Sequence, residues 1–288
     1  MQLIDGKALA SATRSRVAEA VEQLNTEREI VPGLAVILVG NDPASQAYVK
    51  MKAKACKEVG FYSIVHEMPD TISQEEIIGT IEMMNANPRI DGILVQLPLP
   101  PHIDTDSILE VIDPAKDVDG FHPYNVGRIV TKLDAFAPCT PLGVMRMFEH
   151  YAIDLRGKDV CIVGASNIVG KPMASLLLNA DATVTVTHIH TQDLAAHTRT
   201  ADVVIVGVGV PGLIKADMVK EGAVVIDIGI NKLADGRLVG DVDFDAVAPK
   251  CAYITPVPGG VGPMTIAMLM ENTLKAAQAR QTSKEGHA

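Results

Sequence analysis

Short, unbroken apolar runs rich in Val and Ile recur along the chain. They fall at Leu34–Val39, Gly92–Gln96, Asp159–Val163, Thr183–Thr187, Val203–Val206 and Val224–Ile228, with a weaker run at Phe61–His66. Runs that do not alternate with polar residues predict parallel strands buried on both faces. Helix-forming stretches lie between them: Lys7–Glu27, Ala44–Glu58, Ser73–Asn85, Thr105–Val111, Leu142–Tyr151, Val169–Asn179 and Ala216–Lys220. Strand–helix alternation at this spacing predicts βαβ units and an α/β fold. The pattern breaks between about Asp113 and Gly157, where Pro114, Pro123, Pro138 and Pro141 accumulate. We therefore expect two α/β domains, one on each side. The polar tail Gln281–Ala288 is expected to fray.

The stretch Pro256-Val257-Pro258-Gly259-Gly260-Val261-Gly262-Pro263-Met264-Thr265 stands apart. Proline fixes φ and removes a donor, whereas glycine opens positive φ and close backbone approach. The result is a stiff loop with few side chains, placed between a strand-like run (Ala252–Thr255) and an apolar helix (Met264–Ala279). Val257–Pro258 and Leu97–Pro98 are candidates for cis bonds, which X–Pro makes accessible in tight turns.

Composition narrows the partners. A formal charge of −10 over 288 residues argues against nucleic acid, which needs clustered Lys and Arg. The four cysteines (Cys56, Cys139, Cys161, Cys251) show no C-x-x-C spacing, so neither a disulfide framework nor a zinc ribbon is expected. No apolar run reaches about 18 residues, and MQLIDGKALA lacks the build of a signal peptide. A reducing cytoplasm is the expected home, with no membrane partner.

Two glycine loops compete for a nucleotide. Gly207-Val208-Gly209-Val210-Pro211-Gly212 matches the written G-x-G-x-x-G pattern better, and Asp227 lies about 20 residues on, where a ribose-binding acid belongs. Gly164-Ala165-Ser166-Asn167-Ile168-Val169-Gly170 has the better context. It follows a strand and opens a full helix, with Pro172 suited to its first turn. We place the pyrophosphate there, and expect the second loop to line the same crevice. No acid follows the strand Thr183–Thr187 until Asp193, which favours NADP over NAD. His190 or His188 could meet the 2′-phosphate. The H-x-H pair is also compatible with a metal, but no other ligand cluster accompanies it, so no metal is expected.

Tyr48 and Lys52 lie four apart on a predicted helix and share a face. A phenol can donate or accept, and a lysine beside an apolar site can shed its proton and act as a base. Lys50, Lys54 and Lys57 lie on the same helix, so a plain surface lysine is the competing reading. Gln96-Leu97-Pro98-Leu99-Pro100-Pro101 follows a strand at the carboxyl end, where α/β sheets bind ligands. In Lys116-Asp117-Val118-Asp119-Gly120-Phe121 an Asp could hold an amino-pyrimidine edge through two hydrogen bonds, or simply build a turn.

Together these segments resemble the bifunctional methylenetetrahydrofolate dehydrogenase/cyclohydrolase family. The motifs run in order: Tyr48…Lys52, VQLPLP (Val95–Pro100), KDVDGFHPYNVG (Lys116–Gly127), PCTP (Pro138–Pro141), GASNIVGKP (Gly164–Pro172) and PVPGGVGPMT (Pro256–Thr265). The resemblance implies an N-terminal α/β/α catalytic, folate-binding domain over residues 1–118 and a connection over 119–139. It implies a Rossmann-like parallel-sheet NADP-binding domain over 140–265, with the C-terminal helix (266–288) returning to the first domain. It further implies a homodimer that binds NADP and a reduced folate in the cleft between domains and feeds one-carbon units to purine synthesis.

By the same resemblance Lys52 is the catalytic lysine, Tyr48 orients the folate, Gln96 holds the lysine and Asp119 anchors the pterin. Leu97, Pro98, Pro258, Gly259 and Gly260 line the substrate. Gly164, Ala165, Ser166, Ile168, Val169, His190 and Ile230 contact the cofactor. Ile189 departs from the family, whose members often carry Ser or Arg there. Hydride loss yields a cation and needs positioning more than a base, whereas hydration needs a proton carrier, so Lys52 is expected to serve mainly the hydrolytic step. A different NAD(P) oxidoreductase acting on an alcohol or ketone through Tyr48 and Lys52, and a non-catalytic nucleotide sensor, are the rival readings.

Overall fold

The computed structural model describes residues 1–285. The chain forms two compact units. One holds residues 1–10, 129–133 and 140–265; the other holds residues 11–128, 134–139 and the chain from Ile266 on.

The second of these is built on a three-stranded parallel sheet of order β3-β2-β4, from β2 (Gly33–Val39), β3 (Tyr62–Met68) and β4 (Gly92–Val95). Every residue of β2 and β4 is buried, as their unbroken apolar runs require, while β3 is a half-buried edge. The helices α1 (Gly6–Arg28), α2 (Pro43–Val59), α3 (Gln74–Ala86) and α4 (Thr105–Val111) accompany it. Ile77, Ile81 and Met84 form the buried stripe of α3 and meet Ala35, Ile37, Val39, Ile93 and Val95 of the sheet. Each buried isoleucine here contributes roughly 1.5–3 kcal/mol. Within the expected connection α5 (Pro123–Val130) forms, and α6 (Cys139–His150) takes up the helix expected at Leu142–Tyr151.

The other unit carries a six-stranded parallel sheet of order β1-β11-β8-β7-β5-β6. Its strands are β1 (Gln2–Leu3), β5 (Asp159–Val163), β6 (Thr183–Thr187), β7 (Val203–Val206), β8 (Val224–Asp227) and β11 (Tyr253–Ile254). Between them lie α7 (Gly170–Asn179), α8 (Leu194–Thr198), the antiparallel pair β9 (Asn231–Lys232) and β10 (Leu238–Val239), and α9 (Phe244–Val247). The chain runs from β5 to β6 on one side and then crosses back over β5 to β7 on the other. The carboxyl ends of β5 and its neighbours thus form the switch point where α/β sheets bind ligands.

Four expectations change. Residues 1–10 were assigned with the N-terminal domain, yet they belong to the six-stranded unit. Gln2 N–H donates to Ala252 O at 2.7 Å and Ile4 N–H to Ile254 O at 2.9 Å, with Ile4 fully buried. Thr183–Thr187 is not buried on both faces; as the terminal strand it is largely exposed. Ala216–Lys220 yields only a 3₁₀ turn, Ala216–Met218. The last helix, α10 (Val261–Glu285), starts earlier than expected and runs past the apolar stretch Met264–Ala279, with Pro263 tolerated in its first turn. Gly286–Ala288, part of the tail expected to fray, lies outside the described residues. From Ile266 on, α10 belongs to the three-stranded unit, where Asn272 Nδ2 donates to Val118 O at 2.9 Å.

Candidate active site

In the three-stranded unit the site begins on α2. Asp42 caps this helix by accepting from Ser45 N–H at 2.7 Å, and Pro43 sits in its first turn. Its buried stripe runs Val49, Lys52, Cys56, Val59. Lys52 thus stands where the helix pattern calls for an apolar residue. It is 7% exposed, whereas Lys50, Lys54 and Lys57 are exposed. A lysine is rarely so buried without a partner. Here Nζ donates to Gln96 Oε1 at 2.9 Å, and Gln96 Nε2 is turned away to Leu97 O at 2.8 Å. Gln96 directly follows β4, and the Leu97–Pro98 bond is cis, as is Val257–Pro258. Tyr48, one turn before Lys52, is half-buried, and burial pushes its phenol up.

The two acids of Asp117–Gly120 have separate jobs. Asp117 is buried and accepts from the N–H groups of Gly120, Phe121 and His122 and from Asn125 Nδ2, at 2.9–3.2 Å. It builds the turn. Gly120 is required there: at φ +76 a side chain would meet Pro138 N at 2.5 Å. Asp119 stays out of that network. Burial pushes its carboxyl up, and the Lys52 charge pulls it back.

Two participants escaped the sequence reading. Cys139 is buried, donates to Val118 O at 3.4 Å, and has its thiol pushed well up by burial and by Asp119. Asn272 Nδ2 donates to the carbonyls of Val118 and Ala137, at 2.9 and 3.1 Å, and to Cys139 Sγ at 3.8 Å. An amide in the apolar run of α10 was the available signal.

In the six-stranded unit the two glycine loops differ in what their N–H groups do. At Gly164–Gly170 the chain folds back on itself so tightly that a Cβ on Gly170 would sit 2.0 Å from Gly164 O. Ser166 Oγ accepts from Val169 and Gly170 N–H at 3.2 and 3.3 Å, shaping the entry to α7. The N–H groups of Ala165, Ser166, Asn167 and Ile168 find no partner among the described residues. Free N–H groups ahead of a helix make an anion site. At Gly207–Gly212, by contrast, Val208 and Gly209 N–H both donate to Asp241 Oδ2.

Asp227, the candidate ribose acid for the second loop, is 3% exposed and spent on backbone. It accepts from Gly229, Asp241 and Val242 N–H at 2.9–3.0 Å. Burial, with the Asp241 charge adding to it, pushes Asp227 up to about 6. His188, Ile189 and His190 are exposed after β6, with His190 N–H donating to His188 Nδ1 at 3.2 Å. Ile230 is 46% exposed beyond β8. In the Pro258–Gly260 loop, Gly259 O accepts from Lys7 N–H at 3.0 Å. The structure therefore brings Tyr48, Lys52, Gln96 and Asp119 together in one unit. Gly164–Val169, His190 and Ile230 lie along the carboxyl edge of the sheet in the other.

Known proteins match this arrangement. Residues 4–119 match the tetrahydrofolate dehydrogenase/cyclohydrolase catalytic domain, and residues 138–281 match the NAD(P)-binding domain of the same family. The bifunctional protein FolD of Sulfurovum sp. (strain NBC37-1) is 77% identical over 280 residues, which span 97% of this chain and all of the relative. The crystal structure of the bifunctional enzyme FolD, methylenetetrahydrofolate dehydrogenase/cyclohydrolase, from Campylobacter jejuni is 56% identical. Its TM-score is 0.96, over 97% of this chain and 99% of that one. The Trypanosoma brucei methylenetetrahydrofolate dehydrogenase-cyclohydrolase, solved with NADP cofactor and an inhibitor, is 40% identical with a TM-score of 0.94. It covers 96% of this chain and 97% of that one.

Proposed function

Since this chain belongs to the tetrahydrofolate dehydrogenase/cyclohydrolase family, we propose that Lys52, Gln96, Asp119 and Tyr48 carry its folate chemistry. The enzyme oxidises 5,10-methylenetetrahydrofolate to 5,10-methenyltetrahydrofolate with NADP. It then hydrolyses that product to 10-formyltetrahydrofolate. The observation that carries the site assignment is the buried Lys52 amine held by the neutral Gln96 amide.

Hydration of the methenyl carbon needs a group that takes a proton from the attacking water and returns one to N5 as the ring opens. Lys52 is that group, and Gln96 aims it. Asp119, kept off the turn by Asp117, anchors the pterin edge, and Tyr48 orients the ring system. NADP supplies the hydride acceptor when bound. The free N–H groups of Ala165–Ile168 suit its pyrophosphate, with Gly164 and Val169 bounding that turn. His190 would hold the 2′-phosphate, and the Ile230 backbone and the Pro258–Gly260 loop would line the reacting end. No carboxylate follows β6 before Asp193, so none stands at the end of the strand to repel the 2′-phosphate. We further propose that the enzyme works as a cytoplasmic homodimer.

One spectrophotometric assay tests the reading. Methylenetetrahydrofolate should be converted in the presence of NADP, with NAD a poorer acceptor. Equal or faster conversion with NAD would sink the NADP placement, and no conversion with either would sink the folate assignment.

A further inference from the structure

The second glycine loop is an anion cradle that the protein fills itself. Successive N–H groups in a turn converge on one point and favour a negative charge there. Val208 and Gly209 N–H reach Asp241 Oδ2 at 2.6 and 2.9 Å. The other oxygen, Oδ1, accepts from Asn231 Nδ2 at 2.8 Å. Asp241 is fully buried, so three donors satisfy a carboxylate that water does not reach.

The Asp241 backbone is itself anchored. Its N–H donates to Asp227 Oδ1 at 3.0 Å, Asp227 also takes Val242 N–H, and Asp227 N–H donates to Thr255 Oγ1 at 2.7 Å. Through this relay one carboxylate fastens two segments to the sheet, Gly207–Gly209 beyond β7 and Ile230–Asn231 beyond β8.

We propose that Asp241 is a positioning residue for the dehydrogenase step, its carboxylate standing where a phosphate would and fixing both the second glycine loop and the Ile230 segment. It touches neither reacting partner. It closes Gly207–Gly209 to pyrophosphate, leaving the Gly164 loop as the seat, and sets the backbone that meets the reacting end of the cofactor. The inference rests on the cofactor placement proposed above.

Asp241→Asn keeps the shape but turns an amide N–H₂ toward either Asn231 or the two backbone donors, so a donor meets a donor. Displacements of this kind cost up to about a hundredfold in rate, and we expect KM for NADP to rise about tenfold or more with kcat also reduced. Cyclohydrolase activity, measured on methenyltetrahydrofolate without NADP, relies on residues of the other unit and should stay within about twofold, reporting that the chain is folded. Combining Asp241→Asn with Asn231→Asp restores an acceptor to the pair and should recover part of the NADP affinity.

Two results would overturn the inference: NADP parameters unchanged in Asp241→Asn and Asp241→Ala, or loss of both activities by the same factor. Gly170→Ala in the parent chain reads the premise separately. If it leaves NADP affinity unchanged, the cofactor placement falls, and the inference with it.

Discussion

The surroundings of Lys52 and of Gly164 solve opposite problems. Around Lys52 the functional atoms belong to side chains and are shielded: the buried Lys52 amine is held by Gln96, and its charge acts on the Asp119 carboxyl, which burial pushes up. Around Gly164 the functional atoms are backbone N–H groups, partly exposed and without partners among the described residues. Moving a proton needs a titratable group shielded from bulk water and aimed by neighbours. Seating a phosphate needs fixed donors and room, which side chains would only fill. Each region therefore keeps what the other excludes, and the two activities should fail separately.

The largest effect should come from Lys52→Met. It keeps the length of the side chain and removes the amine that Gln96 holds. General acid–base groups contribute about 10²- to 10⁴-fold, so cyclohydrolase activity should fall by that order, while a measurable part of the dehydrogenase survives. Separate assays on methenyl- and methylenetetrahydrofolate decide it. Equal loss in a folded variant would erase the division between the two regions.

A buried titratable group also occurs on the cofactor side, and it sharpens the contrast. Asp227 is nearly inaccessible and pushed up to about 6, yet it spends its charge on three backbone N–H groups. Burial marks structure there rather than proton transfer. Between its ordinary 3.8 and about 6, the unfolded chain has released this proton and the folded chain still holds it. Stability from this group therefore falls as pH rises through that window and is flat above it. The span corresponds to about 3 kcal/mol at most. Urea unfolding of the parent and of Asp227→Asn, run from pH 4 to 7.5, should show the parent losing its relative stability by up to that amount. A difference independent of pH would mean that Asp227 is not perturbed.

Much of this was legible in the sequence, and what was not has a common cause. The apolar runs of β2, β4, β5, β7 and β8 announce themselves because strands buried on both faces need them. Lys52 is visible once it is seen to interrupt the stripe Val49, Cys56, Val59. The pairing of the N-terminal residues was not legible because β1 is two residues long and its partner β11 lies about 250 residues away. The roles of Asp117 and Asp119 could not be separated from spacing, since only the closed turn shows which carboxylate the backbone consumes. The better-written glycine motif was discounted for its context, but its physical disqualification is Asp241, more than thirty residues on. Cys139 and Asn272 likewise act through partners remote in sequence. Local pattern fixes elements; long-range hydrogen bonds fix roles.

The smallest expected effect lies at Ile189, where the chain departs from the family. Its side chain is 92% exposed between His188 and His190, so replacing it should change stability by no more than about 0.5 kcal/mol. An arginine at this position would put a planar, permanently charged donor group beside the place assigned to the 2′-phosphate. An exposed charge-assisted contact of this kind is worth about 1 kcal/mol, which is roughly a fivefold lower KM for NADP. KM for NAD, which lacks that phosphate, should not follow it, and the gain should shrink as salt is added. The ratio of the two constants in Ile189→Arg thus reads the placement directly. If both cofactors improve together, the arginine is meeting the pyrophosphate instead. If neither changes, the end of β6 does not face the 2′-phosphate, and the selectivity for NADP must arise at another edge of the sheet.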